Sequence, residues 1–142
     1  MCRDVEFYLV DIFIAIDKIK RYIQPFNSAT ELLYDEKSWD AVIRELEIIG
    51  EATNKLLKYD FLENDYRIIV DFRNIIVHEY FGINENIVWE VVNEYLDEFK
   101  QKLINESKKL DLSLAIKAAK KENKHNKNVL NFLKELEDVL SS

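Results

Sequence analysis

An all-α fold is predicted by three observations on this sequence. Two glycines and one proline punctuate 142 residues, too few turn-formers for a strand-rich fold. Apolar residues recur three and four positions apart, the period of a helix face. Ser, Asp or Asn stands where the periodic runs begin, as helix caps do. At 48% hydrophobic residues the chain can bury one sizeable core, most simply as one folded unit.

The first helix is expected from about Asp4, a good N-cap, to Gln24, where Pro25 stops it. Ser28-Ala29-Thr30-Glu31 is a capping-box pattern that opens a short second helix. After Asp35 a longer helix carries Val42, Leu46, Ile49 and Leu56 at helical spacing to about Lys58. A fourth helix runs from about Asn64 to Phe81. Asn84 then caps a fifth, with Ile83 and Val88 as a hydrophobic staple and a stripe of Val88, Val92, Tyr95, Phe99 and Leu103. The four principal helices make a bundle over residues 1–104. Residues 105–142 form an additional C-terminal helical hairpin, Ser113 to Asn123 and Asn126 to Leu140. Its second helix presents one narrow apolar stripe, Val129, Phe132, Leu133, Leu136 and Leu140, which needs a surface to cover it. Packing on its own bundle is the simplest destination, with a dimer or a partner protein as the others. The Lys-rich turn between the two helices, residues 120–127, reads as a solvated loop.

The fourth helix concentrates the candidate chemistry in Arg73-Asn74-Ile75-Ile76-Val77-His78-Glu79-Tyr80-Phe81. Arg supplies a permanently charged, forked donor for a phosphate, and His trades protons near neutral pH. On a wheel of about 100° per residue, Ile68, Ile69, Phe72, Ile75 and Ile76 fall in one arc, the expected core face. Arg73, Asn74 and His78 fall on the other side among Val70, Val77 and Phe81, a mixture suited to a homodimer seam. Arg73 and His78 stand about 140° apart, so one helix does not aim both at one atom. A two-fold axis facing two copies of the helix would complete the site. Asn74, four residues before His78, is placed to orient its imidazole, and Tyr80 stands near the rim of the cleft. Taken alone, an Arg and a His on a helix are more often ion-pair residues than catalysts, and a lone Tyr more often packs. Glu47 and Glu51, four apart on the third helix, read as a solvent-facing pair, with a tether to Arg73 as the alternative.

Arg73, four intervening residues, His78, one residue and Tyr80 match an Arg-x4-His-x-Tyr pattern. With residues 40–52, which contain Ile49-Gly50-Glu51-Ala52, and residues 80–89, it resembles the HEPN superfamily in its HepT-like toxin branch. The resemblance covers roughly residues 3 to 104; the chain after about Asn105 has no counterpart in it. It implies a HEPN-type bundle of four to five helices, acting as a homodimeric, metal-independent endoribonuclease with Arg73 and His78 catalytic. It also implies a partner, a minimal nucleotidyltransferase antitoxin that attaches AMP to Tyr80 and silences the toxin. Anionic bulk on Tyr80 would compete with a substrate phosphate. The expected reaction is attack of a 2'-hydroxyl on the adjacent phosphodiester, with His78 as general base and Arg73 stabilising the phosphoryl oxygens.

Composition narrows the classes. The sequence has no His-Glu-x-x-His helix, no Cys pair and no glycine-rich phosphate loop, so neither metal nor cofactor is expected, nor nucleotidyl transfer by this chain. The single Cys2 allows no internal disulfide, and no apolar run approaches membrane-spanning length, so a soluble, cytoplasmic protein is expected. A net charge of −7 opposes general attraction to RNA. Residues 1–100 hold 11 Lys and Arg against 21 Asp and Glu, whereas residues 101–142 hold 9 against 6, so any RNA contact must be local. The acidity leaves an alternative: a non-catalytic helical dimer that binds nucleotide and regulates a nucleotidyltransferase partner.

Overall fold

The computed structural model describes residues 2–78 and 82–142, with the backbone alone at 2, 3, 77 and 78. Its elements are α1 (Cys2–Ile23), α2 (Ala29–Tyr34), α3 (Glu36–Lys58), a 3-10 turn (Asn64–Tyr66), α4 (Arg67–His78), α5 (Glu85–Glu90), a π turn (Val91–Tyr95), α6 (Leu96–Ser107), α7 (Ser113–Glu122) and α8 (Lys127–Ser141). The expected all-α class is what forms, with no strand among the described residues.

Local chemistry sets most boundaries. Ser28 Oγ accepts from the Glu31 backbone N–H at 3.2 Å, and Glu31 Oε1 reaches back to the Asn27 N–H at 2.9 Å, closing the start of α2 from both sides. Asp35 Oδ1 accepts from Ser38 N–H at 3.0 Å and opens α3, and this bond holds its carboxyl below the usual range. Asn84 Oδ1 takes the N–H groups of Asn86 and Ile87, and Asn126 Oδ1 that of Val129. Asp4 lies within the first turn of α1 and is not its cap, since the helix begins at Cys2. Its carboxylate still suits that end of the helix dipole.

α1 is the central element. Its buried face, Leu9, Ile12, Phe13, Ile16 and Ile19, packs against α3 on one side and meets α6, α7 and α8 on others. The terminal hairpin buries Ile116, Val129, Phe132, Leu133 and Leu136 in the same hydrophobic cluster as the bundle. Lys100 of α6 lies over the Phe132 ring at 5.5 Å, and Lys120 pairs with Glu137 across the hairpin. In the fifth expected helix the stripe holds at Val88, Val92, Phe99 and Leu103 and changes at one position. Leu96, and not Tyr95, is fully buried between Val92 and Phe99. The π turn ends at Tyr95, which packs partly buried against the core, and beyond it Phe99 and Leu103 are buried as expected.

The core face of α4 departs from expectation. Ile68 and Ile75 are 59% and 48% exposed, whereas Ile69, Val70 and Ile76 are buried. Relative to the wheel above, the inward direction is turned toward the side that carries Arg73. The reason lies in α3, which α4 approaches closely at Gly50. The helix also starts later than the expected Asn64, since a 3-10 turn precedes Arg67; its expected end at Phe81 lies outside the described residues.

Candidate active site

Arg73 stands at the crossing of α3 and α4. A Cβ built at Gly50 would overlap the Arg73 Cβ and lie 2.6 Å from its Cγ, so any larger residue at 50 would push α4 away. The glycine of the Ile-Gly-Glu-Ala segment therefore lets the two backbones come together and holds the Arg73 stem against α3. From there the guanidinium reaches outward. Its Nη2 donates to Glu51 Oε1 at 2.9 Å and its Nη1 to Asn74 Oδ1 at 3.0 Å. Its Nε is buried without a hydrogen-bond partner among the described residues. Glu51 is solvent-facing, as expected, and is at the same time the tether that α3 extends to Arg73, whereas Glu47 is half-buried.

Beside this pair lies a groove of about 350 Å³ lined by Gly50, Glu51, Asn54, Lys55, Val70 and Arg73. Two cations against one carboxylate leave it locally positive on an acidic protein. The forked guanidinium, an ammonium and an amide are the groups that bind a phosphate. A second cavity, about 330 Å³, runs along the other side of α4 over Ile68, Phe72, Ile87 and Tyr95, with Glu90, Glu94 and Glu98 on its rim. Three carboxylates there repel a polyanion, so the groove beside Arg73 is the better candidate for RNA. Tyr95 is stacked on Phe99, and burial, reinforced by neighbouring Tyr66, Asp65 and Glu98, pushes its hydroxyl up to about 12. It stays a neutral phenol at physiological pH.

The sequence-predicted residues are placed as follows. Arg73 and Asn74 come together, hydrogen-bonded to each other. His78 is the last residue of α4, one turn beyond Asn74, and its side chain lies outside the described atoms. The expected bond from Asn74 to its imidazole lies there too. Tyr80 is outside the described residues. Sequence reasoning gave Gly50, Asn54 and Lys55 no role. Their polar spacing on α3 was visible, but nothing local says which helix that face meets. Among the described residues, no three His, Cys, Asp or Glu side chains gather as metal ligands would, and no helix is long and apolar enough to cross a membrane.

Comparison with known proteins bears on this groove. The family described as Ribonuclease HepT-like matches residues 12–106, the bundle that carries it. A Thermococcus cleftensis protein named "Probable ribonuclease HepT" is 36% identical over 106 residues, 72% of this chain and 94% of that protein. A Methanocaldococcus jannaschii protein provisionally named an RNase is 37% identical over 106 residues, 70% of this chain and 84% of its own length. Another from the same organism, named as a gamma-glutamylcyclotransferase and provisionally an RNase, is 31% identical over 115 residues. The chain spans about half the length of that relative, 51%. No solved structure matches the chain.

Proposed function

Because this chain belongs to the HepT-like ribonuclease family, we propose that it is a metal-independent endoribonuclease whose site is completed across a homodimer. The observation that carries this reading is the placement of Arg73, its stem locked against Gly50 and its Nη groups presented at a locally positive groove. In the proposed reaction His78 takes the proton of a ribose 2'-hydroxyl, whose oxygen attacks the adjacent phosphorus. Arg73 donates to the phosphoryl oxygens as negative charge builds on them. The bond from phosphorus to the 5' oxygen breaks, His78 of the partner subunit returns a proton to that oxygen, and a 2',3'-cyclic phosphate remains.

Support for the dimer comes from the outer side of α4. Ile75 is exposed there, although a large apolar side chain gains from burial, and Asn74, which holds Arg73 Nη1, is exposed beside it; Val70, expected on the seam, is buried in the core instead. Isologous pairing of this side would bring two copies of the motif helix face to face. We assign Tyr80 as the acceptor of AMP from a cognate minimal nucleotidyltransferase antitoxin, which makes the chain the toxin of the pair. An adenylate two residues beyond His78 would add negative charge where the substrate phosphate must enter.

The test is incubation of total RNA with purified protein in EDTA, beside Arg73→Ala and His78→Ala, with the ends mapped and the mass at Tyr80 checked. Cleavage lost in both folded, dimeric variants supports the nuclease. Intact RNA at large enzyme excess, with Tyr80 unmodified, refutes it. A second reading, a non-catalytic dimer that binds nucleotide and regulates the nucleotidyltransferase, is favoured by the net charge of −7 and by the carboxylate already seated on Arg73. Nucleotide binding without cleavage is its signature.

A further inference from the structure

Glu51 occupies the position on Arg73 that a phosphate would take. Its Oε1 lies 2.9 Å from Nη2, the distance of a charge-assisted hydrogen bond to an anion. The two partners are held unequally. Arg73 is 28% exposed, its stem pinned by the α3 crossing and its Nη1 bonded to Asn74, whereas Glu51 is 61% exposed with one oxygen engaged. An arriving anion therefore meets a fixed guanidinium and a carboxylate free to turn into water. Leaving Glu51 in place beside a phosphate would set two anions against each other.

Lys55 offers the carboxylate a second place. It follows Glu51 by four residues on α3, lines the same groove, and has no ion-pair partner among the described residues. Glu followed by Lys at this spacing is the favourable order on a helix surface. We propose that Glu51 is a resident counter-ion that substrate phosphate displaces from Arg73, and that Lys55 receives the displaced carboxylate. The pair then sets how tightly the groove holds RNA: Glu51 guards Arg73 against weak anions, and Lys55 lowers the cost of opening. This rests on the reading that Arg73 takes a substrate phosphate. A Glu51 that merely orients Arg73 would have the opposite effect on binding.

The experiment measures anisotropy of a labelled single-stranded 2'-deoxy oligonucleotide, which has no 2'-hydroxyl to react, on the full chain at low salt. Wild type is compared with Glu51→Gln, Glu51→Asp, Lys55→Ala, Glu51→Gln/Lys55→Ala and Arg73→Ala. Exposed ion pairs of this kind support a gain of up to about fivefold in affinity for Glu51→Gln. That gain should fade as the Debye length falls to about 3 Å at 1 M salt. Glu51→Asp, whose shorter arm reaches Arg73 less well, should lie between wild type and Gln. Lys55→Ala should weaken binding alone and lose most of that effect when Glu51 is already Gln. Equal or weaker binding by Glu51→Gln overturns the proposal, and an equal Lys55→Ala loss in both backgrounds overturns the hand-over. Binding unchanged in Arg73→Ala would overturn the phosphate reading itself, and this inference with it.

Discussion

Gly50→Ala isolates the contact on which the candidate site depends. The added methyl would overlap the Arg73 Cβ and stand 2.6 Å from its Cγ, with the Ile69 carbonyl oxygen at 3.4 Å. Carbon atoms in contact settle about 3.5–4.0 Å apart, so α3 and α4 must separate by more than about 1 Å. The stem atoms of Arg73 cannot swing aside as a side-chain end would, because Cβ is fixed to the backbone. Overpacking of this kind costs about 1–3 kcal/mol. Gly to Ala inside a helix returns about 1 kcal/mol through propensity. The expected net is a loss of about 0–2 kcal/mol, the difference between those two ranges. Urea denaturation with Gly82→Ala as control measures it, since among the described residues, its chain neighbours apart, nothing lies within 4 Å of a Cβ at Gly82. Oligonucleotide binding, read on the same samples, should weaken as the Arg73 stem moves. A Gly50→Ala protein about 1 kcal/mol more stable than wild type, with binding intact, would show propensity acting alone and refute the close approach.

Three further outcomes are expected. Leu133 of α8 is fully buried in the shared core, so Leu133→Ala should cost about 2–5 kcal/mol in one cooperative transition; a separate early transition for the hairpin would contradict that continuity. Burial raises the Glu45 carboxyl against the opposing pull of Lys18, Arg44 and Arg21, so the folded state holds this proton more tightly than the unfolded one. Its contribution is therefore full below the unfolded value near 4.5 and lost as pH rises through the folded value; thermal melts should find Glu45→Gln the more stable at pH 7 and level with wild type at pH 3. Ile75→Glu would place a charge on the proposed seam and should weaken the dimer at least about tenfold by light scattering, whereas an unchanged dimer would move the seam off this side of α4.

The helices and their starts were legible because their causes are local. Ser28, Asp35, Asn84 and Asn126 each cap a helix through a bond to an N–H two or three residues on, and no distant residue takes part. The hairpin stripe of Val129, Phe132, Leu133 and Leu136 was equally readable, since no competing apolar face exists on α8. The motif of Arg73, His78 and Tyr80 and its order after Gly50-Glu51 were also in the sequence, and they pointed to the family.

The inward side of α4 was not. Apolar residues at 68, 69, 70, 72, 75, 76 and 77 spread over about 220° of the helix, wider than its buried face, so amphipathicity alone does not fix the centre of that face. The choice falls to the neighbour: α3 lacks a side chain at Gly50, the backbones close there, and Ile69, Val70 and Ile76 are buried while Ile68 and Ile75 are left outside. The same crossing joins Glu51 to Arg73 across 22 positions of chain. Periodicity and capping report interactions within a few residues, so they determined the helices and the motif. Which helix meets the motif, and therefore which carboxylate holds its arginine, follows from packing between distant segments, which only the tertiary structure decides.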